Sequence, residues 1–225
     1  VIRAYGILAG ILDDAVKNGR IAKNPARGVE NLPRKTKRRH KYLTPDDVAT
    51  LVHEAGQNGA LVLVLAYCGL RWGEAIGLRV RDIDFLRRRL TVHENAVQVR
   101  MKHVVGTTKG DKVRSVPVPA FVLDAVAKQC EARGREDLVF PGRSGDHLDG
   151  RALSRRYLAA LEAAGLRRLR FHDLRHTFGT RVIGVADIRR VQEWMGHADI
   201  KTTMRYLHYA PRKEDAALVA QAFGS

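Results

Sequence analysis

The spacing of apolar residues divides the chain into helical stretches around one strand-forming region. Helices are predicted at residues 1–19, 44–56, 119–133 and 151–164, and at 60–68, which is nearly all apolar and therefore expected to be buried on most sides. Between residues 88 and 118 the period falls to two, and a Gly-containing turn region at 106–111 interrupts the alternation. The pattern predicts a mainly α protein with a small three-stranded antiparallel β-sheet, an α+β fold.

The first 43 residues differ in character from the rest. The helix predicted in residues 1–19 finds no apolar partner within its own short segment, and Asn24-Pro25 breaks the chain after it. Residues 31–43 lack periodic apolar residues and predict a linker. Its cations are Arg34, Lys35, Lys37, Arg38, Arg39 and Lys41. They form either a solvated charge run or a strap along DNA phosphates, and a position between two domains favours the DNA contact.

The charge of the chain points to an anionic partner. Its 225 residues include 40 Lys and Arg against 24 Asp and Glu, a net charge of +16 with a pI of about 10.4. Nucleic acid is the favoured partner, although ribosomal and membrane-surface proteins share this balance. The longest apolar run, 60–70, is too short to cross a bilayer, so we expect no membrane partner and a cytoplasmic location. Cys68 and Cys130 do not indicate a disulfide framework.

Candidate chemistry is concentrated between residues 170 and 209. His172 and Arg175 stand three apart and share one face of a predicted helix. His197 follows a glycine that can end a helix, and Tyr206 comes nine residues later on another predicted helix. Packed together, these side chains suit a phosphodiester, because they supply a cation, proton acceptors and a hydroxyl nucleophile.

Two further cations belong to the candidate set. Arg71 lies at a Gly-flanked corner after a buried helix, where Glu74 can fix its guanidinium for phosphate binding or form a purely structural ion pair. Lys109 lies in the turn region of the strand-forming stretch. It is either an exposed turn residue or a functional ammonium group, and Lys102 and Lys112 are nearby alternatives for that group. The basic face of the 151–164 helix, with Arg151, Arg155 and Arg156, fits a DNA groove or solvent equally well.

Four blocks of sequence resemble the tyrosine recombinases, the phage integrase family. They are GLRWGEAIGL at 69–78, TKG around Lys109, HDLRH at 172–176 and MGHADIKTTMRYLH at 195–208. The resemblance runs from about Asn24 to Pro211 and implies the tyrosine-recombinase catalytic fold. It also implies a domain plan, in which residues 1–30 end a truncated core-binding domain, 31–43 link the domains, and 44–225 form the catalytic domain.

The resemblance implies a site-specific recombinase that integrates or excises a mobile element. Tyr206, favoured over Tyr209 by its place in the block, would form a 3′-phosphotyrosyl link to DNA. His172 would take the tyrosine proton, His197 would bind the phosphate, and Lys109 would protonate the leaving 5′-oxygen. Arg71 and Arg175 would stabilise the charge on the phosphate, so no metal or other cofactor is expected.

The resemblance further implies partners and an assembly. The partner would be double-stranded DNA, with the chain monomeric alone and tetrameric on DNA, where the apolar tail 216–223 would dock on a neighbouring protomer. The resemblance also implies that accessory DNA-bending proteins take part and that the protein associates with the nucleoid when it is bound to DNA.

Three other functions compete with this interpretation. A zinc hydrolase would use His172 and His176, but no third ligand stands at a fixed spacing and Arg175 would repel the cation. A type IB topoisomerase shares the chemistry. A catalytically silent DNA-binding relative would not require the full set of six residues.

Overall fold

Helices account for most of the chain. The computed structural model describes residues 1–33, 42–99, 102–107 and 113–209. The α-helices found within them are α1 (Ile2–Lys17), α2 (Pro45–Ala55), α3 (Gly59–Tyr67), α4 (Trp72–Ile76), α5 (Ala120–Cys130), α6 (Gly150–Ala163), α7 (Phe171–Val182), α8 (Ile188–Met195) and α9 (Ile200–Met204). With the strands below, this confirms the predicted α+β class.

Local sequence explains why α2 begins where it does. The Thr44 hydroxyl accepts a hydrogen bond from the Asp47 amide at 3.1 Å, and the Asp47 carboxylate accepts one from the Thr44 amide at 2.8 Å. Pro45 occupies the first helical position, where its missing N–H removes no hydrogen bond. The predicted helix start is therefore confirmed.

The strand-forming region makes two small sheets rather than the single three-stranded sheet predicted. Its strands are β1 (Ile83–Asp84), β2 (Arg89–Val92), β3 (Glu94–Val99), β4 (Lys102–Thr107) and β5 (Arg114–Pro117). One antiparallel sheet has the order β1-β2-β5, with Leu90 opposite Val116, and the other is the β3-β4 pair. The prediction was wrong because alternation shows that strands exist but does not fix which strands pair.

Helix α3 is the centre of the main core. Seven of its nine residues are buried, and it packs against α2, α5 and α7. Fully burying one such Leu or Val side chain contributes about 1.5–3 kcal/mol. The ends of α3 and α7 are therefore held on a rigid framework, and the candidate site lies at those ends.

The stretch Pro45–Tyr67 is long and apolar enough, by length and composition, to cross a membrane. The chain does not use it as one span, because Gly56, with φ +52°, separates α2 from α3. These two helices pack against each other, and half of the most apolar window is buried in the protein. The stretch therefore has the properties of core helices.

The chain divides into two compact units, Val1–Arg39 and His40–Ser225. In the first unit the segment after α1 folds back on the helix: the Asn24 amide donates to Ala9 O at 2.9 Å, and the Tyr5 hydroxyl donates to Ala26 O at 2.6 Å. These contacts are polar, while Ile7, Leu8 and Ile11 of α1 stay exposed, which agrees with the expectation that the helix has no apolar partner in its own segment. The domain boundaries at 30 and 43 stay predictions.

Candidate active site

Arg71 is fixed at the corner between α3 and α4. Gly69 turns the chain with φ +64°, and Arg71 then directly precedes the first residue of α4. Its Nη1 donates to Glu74 Oε1 at 2.7 Å, and its Nη2 donates to Gly196 O at 2.7 Å. The side chain is partly exposed, which leaves the remaining donor capacity of the guanidinium for a ligand.

Glu74 holds a second arginine as well. The Arg114 guanidinium donates to both Glu74 carboxylate oxygens, at 2.9 and 2.6 Å, and its Nε donates to Trp194 O at 2.9 Å. Burial alone would raise the Glu74 pKa, but Arg114 and then Arg71 lower that pKa to about 2. Glu74 therefore stays ionised and ties α4, β5 and the end of α8 together.

Arg175 lies on the buried face of α7, with 2% of its surface exposed. Its Nη1 donates to Gly69 O at 2.6 Å and its Nη2 to Met195 O, so it spans from the α3 corner to the end of α8. Burial and the charge of Arg71 lower the Arg175 pKa to about 9, which leaves the guanidinium protonated at neutral pH. Asp173, two residues earlier on α7, pairs with Arg170.

The two predicted histidines reach the site from different elements. His172 is in the first turn of α7. Its pKa is lowered, mainly because the ring is partly buried and secondly because of the charge of Arg175. His197 follows Gly196, which ends α8 in the left-handed conformation with φ +60°, as predicted. Burial and Arg175 lower the His197 pKa to about 3, and His197 Nδ1 lies 2.8 Å from the Thr203 hydroxyl.

Tyr206 lies in the turn after α9 rather than on the helix that the sequence predicted. Helix α9 ends at Met204, and a short 3-10 turn, Leu207–Tyr209, follows the tyrosine. The Tyr206 ring is 2% exposed, and its hydroxyl oxygen lies 2.6 Å from His176 Nδ1. Burial raises the Tyr206 pKa to about 12.

One cavity brings these side chains together. It has a volume of about 200 Å³ and is lined by Arg71, His172, Arg175, His176, His197, Thr202, Arg205 and Tyr206. This is smaller than the roughly 300–1,000 Å³ of most small-molecule pockets. The cavity is suited to a single anionic group of a larger ligand.

Five of the six predicted catalytic residues line this cavity: Arg71, His172, Arg175, His197 and Tyr206. The sixth, Lys109, lies outside the described residues, as do the linker cations Arg34, Lys35, Lys37, Arg38, Arg39 and Lys41 and the tail 216–223. Their roles stay predictions.

The model of the phage integrase family matches residues 41–213, which is most of the chain. The chain belongs to the phage integrase family. Among curated relatives it is 33% identical over 211 residues to the tyrosine recombinase XerC of Corynebacterium efficiens, covering 88% of this chain and 64% of that protein. It is 31% identical over 230 residues to a putative prophage phiRv2 integrase of Mycobacterium tuberculosis, covering 97% and 61%. The chain thus spans somewhat less than two thirds of the length of these two relatives.

Solved structures share the fold of this integrase-family chain. The Tn1549 transposon integrase in complex with a circular intermediate DNA superimposes with a TM-score of 0.77 at 21% identity, covering 97% of this chain and 77% of that one. The XerA recombinase superimposes with a TM-score of 0.63 at 27% identity, covering 84% and 66%. These likenesses confirm the predicted tyrosine-recombinase catalytic fold.

Sequence reasoning about this family member missed three groups at the site. Arg114 lies in β5, and nothing in its spacing predicts that it pairs with Glu74, 40 residues earlier. His176 was weighed only as a zinc ligand, although its i, i+4 spacing from His172 places it on the same helix face. Arg205, next to the nucleophile candidate, lines the cavity although no motif or spacing marks it. In the part of the chain that the structure describes, no group of three or more metal-ligating side chains is gathered.

Proposed function

We propose that the chain contains the catalytic part of a site-specific DNA recombinase that cleaves and rejoins DNA through a 3′-phosphotyrosyl intermediate, integrating or excising a mobile element. The observation that carries the proposal is the single cavity in which two guanidinium groups and two predicted imidazoles surround a buried phenol. Such a set supplies charge stabilisation and a nucleophile for a phosphodiester.

The proposed reaction conserves bond energy. The Tyr206 hydroxyl oxygen attacks phosphorus, the P–O5′ bond breaks, and a free 5′-hydroxyl is released. A 5′-hydroxyl of a partner strand then attacks the phosphotyrosine and releases Tyr206. Energy stays in the phosphotyrosyl bond, so neither ATP nor another cofactor is required.

The arginines stabilise the negative charge that builds on phosphorus oxygens. Arg71 and Arg175 are held by carbonyl oxygens and, for Arg71, by Glu74, so they are oriented before the substrate arrives. Removing one such pre-oriented donor from an enzyme typically costs about 10²–10³ in rate. In this proposal Lys109 donates the proton that the leaving 5′-oxygen needs.

The proposed ligand is double-stranded DNA of a bacterium or phage. The protein would therefore act in the cytoplasm, at the nucleoid. A net charge of +16 supports an anionic partner. A second cavity, of about 820 Å³, has Arg133, Arg143, Arg155 and Arg156 among its lining residues, which supports DNA backbone contacts at α6. Related structures include a lambda integrase dimer bound to a core site.

The same proposal includes an assembly. The free chain would be a monomer, it would form a tetramer on DNA, and accessory DNA-bending proteins would take part.

Covalent trapping tests the proposal. The chain is incubated with a library of nicked random duplexes, in which cleavage next to the nick releases a short fragment and prevents religation. Protein–DNA adducts are isolated under denaturing conditions, and the trapped DNA is sequenced. We expect adducts enriched in one sequence and linked to Tyr206 in the peptide map.

Two tyrosine variants serve as a matched pair in this test. Tyr206→Phe removes only the hydroxyl and should abolish adducts while DNA binding persists, whereas Tyr209→Phe should keep adduct formation. Adducts on Tyr209, or none with the unaltered chain, would refute the proposal. Adducts without sequence enrichment, together with relaxation of any supercoiled plasmid, would favour topoisomerase chemistry instead.

A further inference from the structure

The hydroxyl of Tyr206, the proposed nucleophile, contacts His176. Its Nδ1 lies 2.6 Å from the Tyr206 hydroxyl oxygen, with ring centroids 5.8 Å apart. His172, which the resemblance favours as the proton acceptor, stands one helical turn earlier, and its ring contacts that of His176 edge to face at 4.8 Å. The geometry therefore offers a proton acceptor that the sequence did not single out.

Packing fixes the tyrosine at this histidine. The Tyr206 ring lies against Gly179, three residues after His176 on α7, where an added Cβ would lie 2.6 Å from Tyr206 Cζ. Phe178 and Met195 belong to the same small apolar cluster as the ring. Only a glycine leaves room for the ring at this position. Helix α7 therefore both packs against the Tyr206 ring, at Gly179, and contacts its hydroxyl, through His176.

The surrounding charges distinguish the candidate acceptors. Since burial raises the Tyr206 pKa to about 12, the phenol needs an acceptor at neutral pH. His197 is a poor one, because its pKa is lowered to about 3 and its Nδ1 already contacts Thr203. His172 has its pKa lowered by partial desolvation and by Arg175.

His176 has a carboxylate within one helical turn. Burial raises the pKa of Asp173, but Arg170 and, more weakly, the charge of His176 outweigh it and leave that pKa lowered. Asp173 and His176 are therefore close enough to interact electrostatically. The other charged and titratable groups at this cavity are Arg71, His172, Arg175, His197 and Arg205.

We propose that His176 is a catalytic residue that holds the Tyr206 hydroxyl and accepts its proton during DNA cleavage, an inference that rests on the function proposed above. As Tyr206 Oη forms its bond to phosphorus, the proton moves to His176 Nδ1 while the P–O5′ bond breaks and the 5′-oxygen takes a proton from the general acid. In religation His176 returns its proton to Tyr206 Oη as the phosphotyrosyl bond breaks.

Substitution by asparagine separates proton transfer from hydrogen bonding. His176→Asn keeps an acceptor oxygen near the position of Nδ1 but removes the base, and His172→Asn is the matched control. The readout is the single-turnover rate of adduct formation from pH 5 to 9 on a nicked duplex selected with the unaltered chain. We expect His176→Asn to be at least about 100-fold slower, the usual contribution of a general base. The rise of the rate with pH that reports His176 deprotonation should also disappear, with DNA affinity within twofold.

Two results would overturn this inference. A rate for His176→Asn that is unchanged or faster would mean that the contact with Tyr206 does not assist attack. A slower rate that keeps the pH dependence, while His172→Asn loses it, would assign the base to His172. In either case the adducts of the unaltered chain still stand, so the proposed function is tested separately.

A second measurement needs no DNA. In the free chain labelled with ¹⁵N-histidine, the Nδ1 resonance of His176 reports its hydrogen bond to Tyr206. We expect Tyr206→Phe to shift this resonance and Tyr209→Phe to leave it in place. An unshifted resonance in Tyr206→Phe would remove the contact on which the inference is built.

Discussion

The arginine side and the tyrosine side of the candidate site are held by different interactions. On the arginine side, buried Glu74 accepts hydrogen bonds from Arg71 and Arg114, and α4 follows the main core helix α3 after the corner at Gly69. On the tyrosine side, Tyr206 belongs to a separate small cluster with Phe178, Ile183, Val191 and Met195. Its hydroxyl oxygen lies 2.6 Å from His176 Nδ1.

This difference matches what each side has to do. Any rearrangement of a buried ion network leaves a charge unpaired. Such a network therefore keeps phosphate-binding groups oriented before the substrate binds. A nucleophile held by a small apolar cluster can be released locally at a lower free-energy cost than the core. Tyr206 must form and break a covalent bond, so a seat that opens locally is compatible with its role.

Glu74→Gln should have the largest effect on stability. It leaves the Arg114 guanidinium, whose side chain is 6% exposed, without its counter-charge. Loss of one partner of a buried ion pair costs roughly 3–5 kcal/mol. Urea unfolding measures this change, and Glu193→Gln on the exposed side of α8 is the control, expected within about 0.5 kcal/mol of the unaltered chain. A loss below about 1 kcal/mol for Glu74→Gln would contradict the network described above.

Removing both partners sharpens the same comparison. Glu74→Leu combined with Arg114→Met should be less destabilised than the sum of the two single variants, because neither charge is left buried alone. Adduct formation should remain impaired in the double variant, since Arg71 loses its partner. Additive stability losses would show that Glu74 and Arg114 are not coupled. Normal cleavage would show that Arg71 is oriented by other contacts.

Gly179→Ala should have a moderate effect confined to the tyrosine side. The added methyl enters the space of the Tyr206 ring, and overpacking of this kind costs about 1–3 kcal/mol. Adduct formation should fall more than DNA binding, because the arginine side is untouched. Gly10→Ala in α1 is the control: this helical glycine has nothing within 4 Å of an added Cβ, so the change should be neutral or stabilising. Normal cleavage by Gly179→Ala would contradict the close seat of the ring.

The sequence predicted the helices and most of the site because those depend on local signals. The helix start at residue 44, the helix end at Gly196 and the pairing of Arg71 with Glu74 all depend on nearby residues, and all are confirmed. The pairing of strands and the Arg114–Glu74 contact join distant parts of the chain. No local period or spacing specifies such contacts, so they became visible only in the structure.

The tyrosine side was the hardest part to predict. The 200–209 stretch has helical spacing, but α9 ends at Met204 and Tyr206 occupies the following turn. Which histidine meets the tyrosine depends on how that turn packs on α7, a tertiary contact over 30 residues. His172 and His176 share one helix face, so spacing alone leaves both within reach.

The smallest expected effect is a difference in the pH at which each side begins to lose stability. The His197 pKa is about 3 in the fold against an ordinary 6.5, so unfolding takes up a proton at this ring as the pH falls below about 6.5. The Glu74 pKa is about 2 against 4.5, so its contribution is complete above about pH 4.5 and is lost only below it. Both shifts are downward, and both therefore make the fold less stable in acid.

Urea unfolding between pH 7 and 3 separates the two sides. The free energy of unfolding should already decline between pH 6.5 and 5, where His172 and His147, whose pKa values are also lowered, contribute alongside His197. His197→Gln should make this decline shallower, because glutamine takes up no proton in either state. Glu74→Gln should instead lower the curve by a constant amount above pH 4.5 and approach the unaltered chain only below that value. The free energy of unfolding of His197→Gln could instead fall between pH 6.5 and 5 as steeply as that of the unaltered chain. The site would then not hold the imidazole neutral, and His197 would not distinguish the two sides.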